Sequence, residues 1–219
     1  MQEKNIEAKT HGRYLVEAST SGAPMLVGFH GYAELADVEF DRLRKIDGAD
    51  QWTVVAIQAL HRFYRGRSRD VVASWMTLQD RDLAIADNIS YTGAVIESVA
   101  REYATSQTLV LSGFSQGVAM AYRCATHLNH PVDGLIALGG DVPPELDQAR
   151  LSTIRSVLLG RGIRDEWYTA ENLAQDEERL RSAGVNVEAA VFDGGHEWSA
   201  EFYRAASGFL RARKTNAQS

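Results

Sequence analysis

The sequence predicts an α/β protein: a central, mostly parallel sheet with helices on both faces and no cap domain. Three observations carry that reading. Short β-like runs alternate with longer segments of helical periodicity, several of the runs are apolar on both faces, and no linker or composition break divides the 219 residues. A strand covered by helices on both sides has no solvent face to signal and so reads as a continuous apolar run.

Residues 13–17, 25–29 and 53–57 read as the first three strands. The stretch from about Ala59 to Arg81 fits no element; at roughly 20 residues it is long enough to be functional and too short for a separate helical cap. Ile85, Ile89, Thr92, Ile96, Val99 and Tyr103 share one helical face. A fourth strand, 108–112, precedes a helix marked by Val118, Ala121, Tyr122, Ala125 and Leu128. Strands at 134–138, 156–159 and 187–192 follow, and Trp198, Phe202, Ala205 and Phe209 mark a last helix. The tail after Arg211 is expected to fray. With no internal repeat, residues 1–219 are read as a single domain.

Composition excludes several classes. At 45% hydrophobic and 24% charged residues the chain is neither disordered nor fibrous. A net charge of −6 has the wrong sign for holding nucleic acid through counterion release. Cys124 is the single cysteine, so no intrachain disulfide forms, and the polar first ten residues lack the apolar run of a secretion signal. A cytoplasmic setting is the expectation. Apolar runs such as 54–57 fall far short of the ~20 residues that span a bilayer. Asn88-Ile89-Ser90 is read as a chance sequon.

The chemistry concentrates in Gly113-Phe114-Ser115-Gln116-Gly117, which sits between a strand and a helix. In that context G-x-S-x-G is a nucleophile elbow: the turn lifts the serine hydroxyl above the sheet edge, at a helix N-terminus whose dipole favours developing negative charge. A serine needs a base, and the base an acid, in the chain order Ser, acid, His. Asp193-Gly194-Gly195-His196 supplies His196 after a strand. Asp165, just past another strand end, heads the candidate acids; Glu166 and Asp141 are its rivals. For the oxyanion hole the backbone N–H of Gln116 is one donor, and that of Tyr32, in the loop His30-Gly31-Tyr32, the other. His30 precedes the serine and is read as a structural member of that loop.

These motifs resemble the phospholipase/carboxylesterase family of small α/β-hydrolases, a group of carboxylesterases, lysophospholipases and acyl-protein thioesterases. The resemblance spans residues 25–210 and implies esterase chemistry with Ser115, Asp165 and His196 as triad and Tyr32 and Gln116 as oxyanion donors. It also implies that Phe63, Tyr64, Trp75 and Met76 belong to the stretch that helps wall the acyl pocket. Three positions depart from the pattern. The usual H-G-x-G-D is His30-Gly31-Tyr32-Ala33-Glu34, the glycine after the elbow is Val118, and Gly194 stands before the Gly-His.

Other residues read more plainly. Arg62, Arg65, Arg67 and Arg69 against Asp70 could steer an anionic substrate, but a solvated loop is the simpler account. His127 and His130 lack a third ligand, so no metal and no cofactor is expected. Cys124 lies inside the helix after the elbow and reads as packing. The sequence thus points to a serine carboxylesterase for short-chain, small-molecule esters. A lysophospholipase or thioesterase on the same triad, or a catalytically silent ligand binder, is the alternative; a homodimer is compatible with the sequence and not required by it.

Overall fold

In the computed structural model, which describes residues 1–130 and 132–216, the chain runs β1 (Arg13–Glu17), β2 (Met25–Phe29), α1 (Ala36–Arg44), β3 (Thr53–Gln58), β4 (His61–Tyr64), β5 (Val71–Ser74) and α2 (Arg81–Glu102). It continues through β6 (Leu109–Phe114), α3 (Gln116–His127), β7 (Gly134–Leu138), a short α4 (Gln148–Leu151), β8 (Ser156–Gly162), α5 (Ala170–Ser182), β9 (Asn186–Phe192) and α6 (Ala200–Asn216). Seven strands form one sheet in the order β1-β3-β2-β6-β7-β8-β9. β1 pairs antiparallel with β3, and every other neighbour pair is parallel. This is the mainly parallel, helix-covered sheet of an α/β-hydrolase.

β2, β3, β6 and β7 are buried along their whole length. Alternate residues face opposite ways. Val27, Phe29, Leu109 and Leu111 therefore join one core with Val95, Val99, Ala121 and Leu180 from α2, α3 and α5, while Leu26, Val110 and Ile136 join the other with Leu43, Phe202 and Phe209 from α1 and α6. The parallel strands end on one edge, where open α/β sheets carry their sites.

The seven strands lie where the apolar runs predict them, with different ends. β6 pairs on through Phe114, opposite Leu138, and β8 through Gly162, opposite Phe192. Glycine at these strand ends reads as a turn in sequence, yet in the fold it keeps the strand going where neighbours crowd it. Helix α1 buries only Ala36, Glu39 and Leu43, so its periodicity is faint. Helix α5 begins at a capping box in which Thr169 and Asn172 bond each other's backbone.

Two expectations are corrected. The stretch 61–74 is no plain loop: β4 and β5 form a two-stranded antiparallel hairpin. It docks on the main body through Ala33 N–H to Ala73 O and Ala73 N–H to Glu34 O, both at 3.0 Å. The chain after Arg211 continues as helix to Asn216, because Arg213 anchors it. That guanidinium is nearly buried, stacks 3.4 Å over Phe209, and donates to Ser156 Oγ and Glu188 Oε1. Residues 217–219 lie outside the described residues.

Candidate active site

Ser115 sits between β6 and α3 at φ 53, ψ −121, backbone angles that L-residues rarely hold. Glycines make the turn feasible. A Cβ on Gly113 would lie 2.6 Å from Gly117 O, and one on Gly117 only 2.0 Å from Phe29 O, so the elbow presses helix α3 directly on the ends of β6 and β2. Ser115 N–H donates to Leu138 O at 2.9 Å, which ties the turn to β7. The side chain is left half-buried at the N-terminus of α3.

The ends of β8 and β9 bring Asp165 and His196 together. His196 Nδ1 lies 2.8 Å from Asp165 Oδ2. The other carboxylate oxygen, Oδ1, accepts the backbone N–H groups of Trp167 at 2.9 Å and Tyr168 at 3.0 Å. The carboxylate is thus buried and fully partnered, a fixed acceptor for one imidazole nitrogen. Close packing of the two loops needs glycine, since a Cβ on Gly162 would meet Gly195 O at 2.2 Å. The imidazole packs on Phe114, ring centroids 4.9 Å apart, and its Nε2 makes no hydrogen bond among the described residues. Neither Glu166 nor Asp141 bonds this ring; both point to solvent, and Asn172 partners Asp141. Among the described residues no hydrogen bond links Ser115 Oγ to His196, although both line one depression.

A third segment completes the site. Tyr32 N–H makes no hydrogen bond among the described residues, and Gln116 N–H, first in α3, has no intrahelical acceptor. The loop carrying Tyr32 is clamped from below. Glu34 Oε2 accepts Gly31 N–H at 2.8 Å, while both Glu34 oxygens take the Arg42 guanidinium at 2.6 and 2.7 Å. Burial alone would raise the Glu34 carboxyl; Arg42 outweighs it and holds the group below its usual range. Arg42 also lies 4.3 Å over the Phe114 ring, the ring on which His196 rests. Beneath it Glu39 is fully buried with Oε1 unpartnered, and burial pushes its carboxyl up to about 8.

His30 is built into this scaffold. Its Nε2 accepts Ala59 N–H at 3.1 Å, so Nδ1 carries the proton and donates to Gly31 O at 2.7 Å. Burial lowers its pKa and favours this neutral form. Ala33 adopts φ 58 where the resemblance leads one to expect glycine, held by its N–H to Ala73 and by Arg65 Nη2 on its carbonyl at 2.6 Å. The Gln116 side chain is locked as well: Oε1 accepts Trp75 N–H at 2.9 Å and Nε2 donates to Ser74 Oγ at 3.1 Å. Glu34, Arg42 and Ser74 escape sequence reading, because ordinary charged and hydroxyl residues acquire these tasks only when the hairpin and α1 meet the loop.

Comparison with known proteins fits this geometry. Residues 70–214 match the phospholipase/carboxylesterase family. The chain belongs to that family. No curated protein matches it. Among solved structures it is similar to a Bacillus cereus carboxylesterase, at 14% identity and TM-score 0.72 over 92% of this chain and 94% of the other. It is similar also to esterase PE8, at 22% identity and TM-score 0.72 over 93% and 99%. A phospholipase/carboxylesterase from Dyadobacter fermentans shares 17% identity, with TM-score 0.69 over 94% and 100%. The protein is accordingly a hydrolase of the carboxylesterase and phospholipase kind, and none of its described helices is long and apolar enough to cross a membrane.

Two depressions flank Tyr32 in this hydrolase. The first, about 650 Å³, holds Ser115, Phe114 and His196 with a polar wall that includes Glu34, Asp41, Arg42, Lys45 and Glu197. The second, about 580 Å³, runs from Gln116 past Ser74 along Phe63, Met76 and Leu78. Phe63 and Met76 thus line a groove beside the site. Trp75 does not: it is fully buried, its indole N–H donating to His30 O at 2.8 Å. Tyr64 is exposed on the hairpin and lines neither depression. Cys124 is buried in the core, where desolvation pushes its thiol up to about 12 and leaves it no thiolate at neutral pH. His127 is used locally: its Nδ1 donates to Arg123 O at 2.8 Å and its Nε2 accepts from Arg150 Nη1 at 3.0 Å.

Proposed function

We propose that the hydrolase is a serine carboxylesterase for short-chain acyl esters, with Ser115 as nucleophile, His196 as base and Asp165 as its acid. The observation that carries this is the 2.8 Å bond from the buried Asp165 carboxylate to His196 Nδ1, on loops facing an elbow serine held at φ 53. With Nδ1 committed to Asp165, Nε2 takes the Ser115 proton as Oγ attacks the ester carbonyl. The Ser115 Oγ to His196 Nε2 hydrogen bond that this transfer needs tightens in the complex with substrate. The oxyanion then lies between the unused N–H groups of Tyr32 and Gln116. His196 returns its proton to the leaving alcohol, and water hydrolyses the acyl-enzyme by the same route.

The chemistry required of His196 supports an assignment of the two arms of the ester. His196 must touch the leaving oxygen, so the alcohol occupies the polar depression that His196 lines, and the acyl arm extends past Gln116 into the groove of Phe63 and Met76. Leu78 on that groove is fully exposed, which favours short acyl chains: each CH₂ left in water forgoes ~0.8 kcal/mol. We read residues 1–219 as one such domain, in the cytoplasmic setting that a lone thiol suits. A lysophospholipase or thioesterase would use the same acyl-enzyme, and a silent binder the same pocket.

An organophosphonate probe tests the reading. It labels Ser115 alone, and Ser115→Ala lowers kcat by on the order of 10⁶. An adduct mapped to another residue, or an active preparation that resists the probe, refutes it.

A further inference from the structure

The chain carries a net charge of −6, yet the charge around Tyr32 is unevenly divided. The depression assigned to the alcohol is lined by Glu34, Asp41 and Glu197 as well as Arg42 and Lys45. The groove assigned to the acyl arm is lined by Arg62, Arg81 and His61 and by no carboxylate at all. Outside that lining, Asp70, Asp80 and Asp82 sit in the hairpin turn and around the start of α2, and Glu145, the carboxylate within electrostatic reach of Arg81, is bonded to Arg123.

The two guanidiniums are also uncommitted. Arg62 only reaches the carbonyl of His11, at 3.3 Å, and neither Arg62 nor Arg81 forms an ion pair among the described residues. Other arginines are held by carboxylates, Arg42 by Glu34, Arg123 by Glu145 and Arg155 by Asp133. His61 adds a ring nitrogen, Nε2, that has no hydrogen-bond partner. Between the two arginines and Gln116 the groove is lined by Phe63, Met76 and Leu78, an apolar surface. An apolar groove that adjoins Tyr32 and Gln116 and is also lined by two arginines without a carboxylate partner suits one kind of group. It is an aliphatic acyl chain with an anion at its far end.

We propose that the preferred acyl group carries a terminal carboxylate, so that the substrates are half-esters of dicarboxylic acids, with Arg62 and Arg81 receiving the free carboxylate. This rests on the esterase reading above and adds the substrate class. Arginine suits the task because its fork pairs with a carboxylate through two parallel N–H donors. Each guanidinium within ~4 Å of the carboxylate contributes about fivefold in a water-like dielectric, and more where the groove excludes water. A preference of roughly tenfold or greater therefore follows at low salt, shrinking as salt screens the exposed pair.

The test compares 4-nitrophenyl monoesters of glutaric and adipic acid with the same chains ending in a carboxamide, which keeps the shape and removes the charge. The native ratio of kcat/KM, acid over amide, is expected at about 10 or above in low salt, and to fall several-fold in ~0.5 M salt. Arg62→Gln with Arg81→Gln brings the ratio to 1 or below, where the −6 charge repels the anion. Arg67→Gln with Arg69→Gln, in the hairpin turn outside the groove, leaves the ratio at its native value. A native ratio of 1 or less, a ratio unmoved by the Arg62/Arg81 pair, or an equal fall in the Arg67/Arg69 pair overturns the proposal. Calorimetry of the intact adipate half-ester on Ser115→Ala, with and without Arg62→Gln/Arg81→Gln, reads the same preference without turnover. If neither ester is hydrolysed by the native chain, the esterase reading fails, and arginine-dependent binding still decides the carboxylate site.

Discussion

Gly117→Ala sets two effects of opposite sign against each other. Gly117 is the second residue of α3, and in a helix alanine is favoured over glycine by ~1 kcal/mol. Were propensity the whole account, the substitution would stabilise the protein. The built Cβ, however, lies 2.0 Å from Phe29 O and 2.6 Å from His30 O, both backbone atoms at the end of β2. Real Cβ contacts essentially never fall under 3.0 Å, so α3 must withdraw from β2 by about 1 Å. Overpacking of this kind costs roughly 1–3 kcal/mol, which outweighs the propensity gain. The same displacement separates Gln116 N–H, on α3, from Tyr32 N–H, on the loop after β2. A misplacement of ~1 Å at reacting groups costs on the order of 10²-fold in rate. The expected result is a folded protein, destabilised in urea unfolding, with kcat/KM on a short-chain ester down about 100-fold. Gly208→Ala is the control: nothing lies within 4 Å of its built Cβ in mid-α6, so propensity acts alone and stability rises. Native activity and raised stability in Gly117→Ala would refute the claim that elbow and oxyanion loop are held at contact distance.

Other expectations follow from the same geometry. Asp165→Asn retains the fold and loses roughly 10⁴ in kcat, whereas Asp141→Asn and Glu166→Gln lose far less; a large loss at either rival, read from steady-state kinetics, moves the acid. Ala33→Gly relieves a left-handed residue and is stabilising or neutral in thermal unfolding, against the ~1 kcal/mol loss usual for Ala→Gly; a loss of that size sinks the strain argument. Glu39 keeps its proton in the fold up to about pH 8, while the unfolded chain releases it near its ordinary 4.5. The folded state therefore binds more protons between those values, and stability falls as pH rises, by at most ~1.4 kcal/mol per unit from this group. Glu39→Gln flattens that slope in urea titrations at pH 5.5 and 7.5; an unchanged slope assigns it elsewhere.

The positions of the seven main-sheet strands were legible because several of them are buried on both faces and read as apolar runs, and the helical faces at Ile85–Tyr103 and Val118–Leu128 had the right period. That Ser115, Asp165 and His196 lie at one edge of the sheet was legible too, since each belongs to a strand-end motif written in adjacent residues. The hairpin at 61–74 was not, because a two-stranded ribbon half-exposed to water carries arginines and aromatics in a pattern that also describes a loop. Trp75 shows the limit most plainly: an aromatic beside a pocket and an aromatic beneath one look alike until the indole finds the His30 carbonyl. Glu34 and Arg42 likewise sit eight residues apart on a loop and a helix, and they become a clamp on the loop after β2 only when α1 folds back over that strand. Strand runs and elbow motifs are local and survive in one dimension. Clamps, groove walls and the pairing or freedom of each arginine depend on contacts between segments distant in the chain, and those exist only once the sheet has brought its loops to one edge.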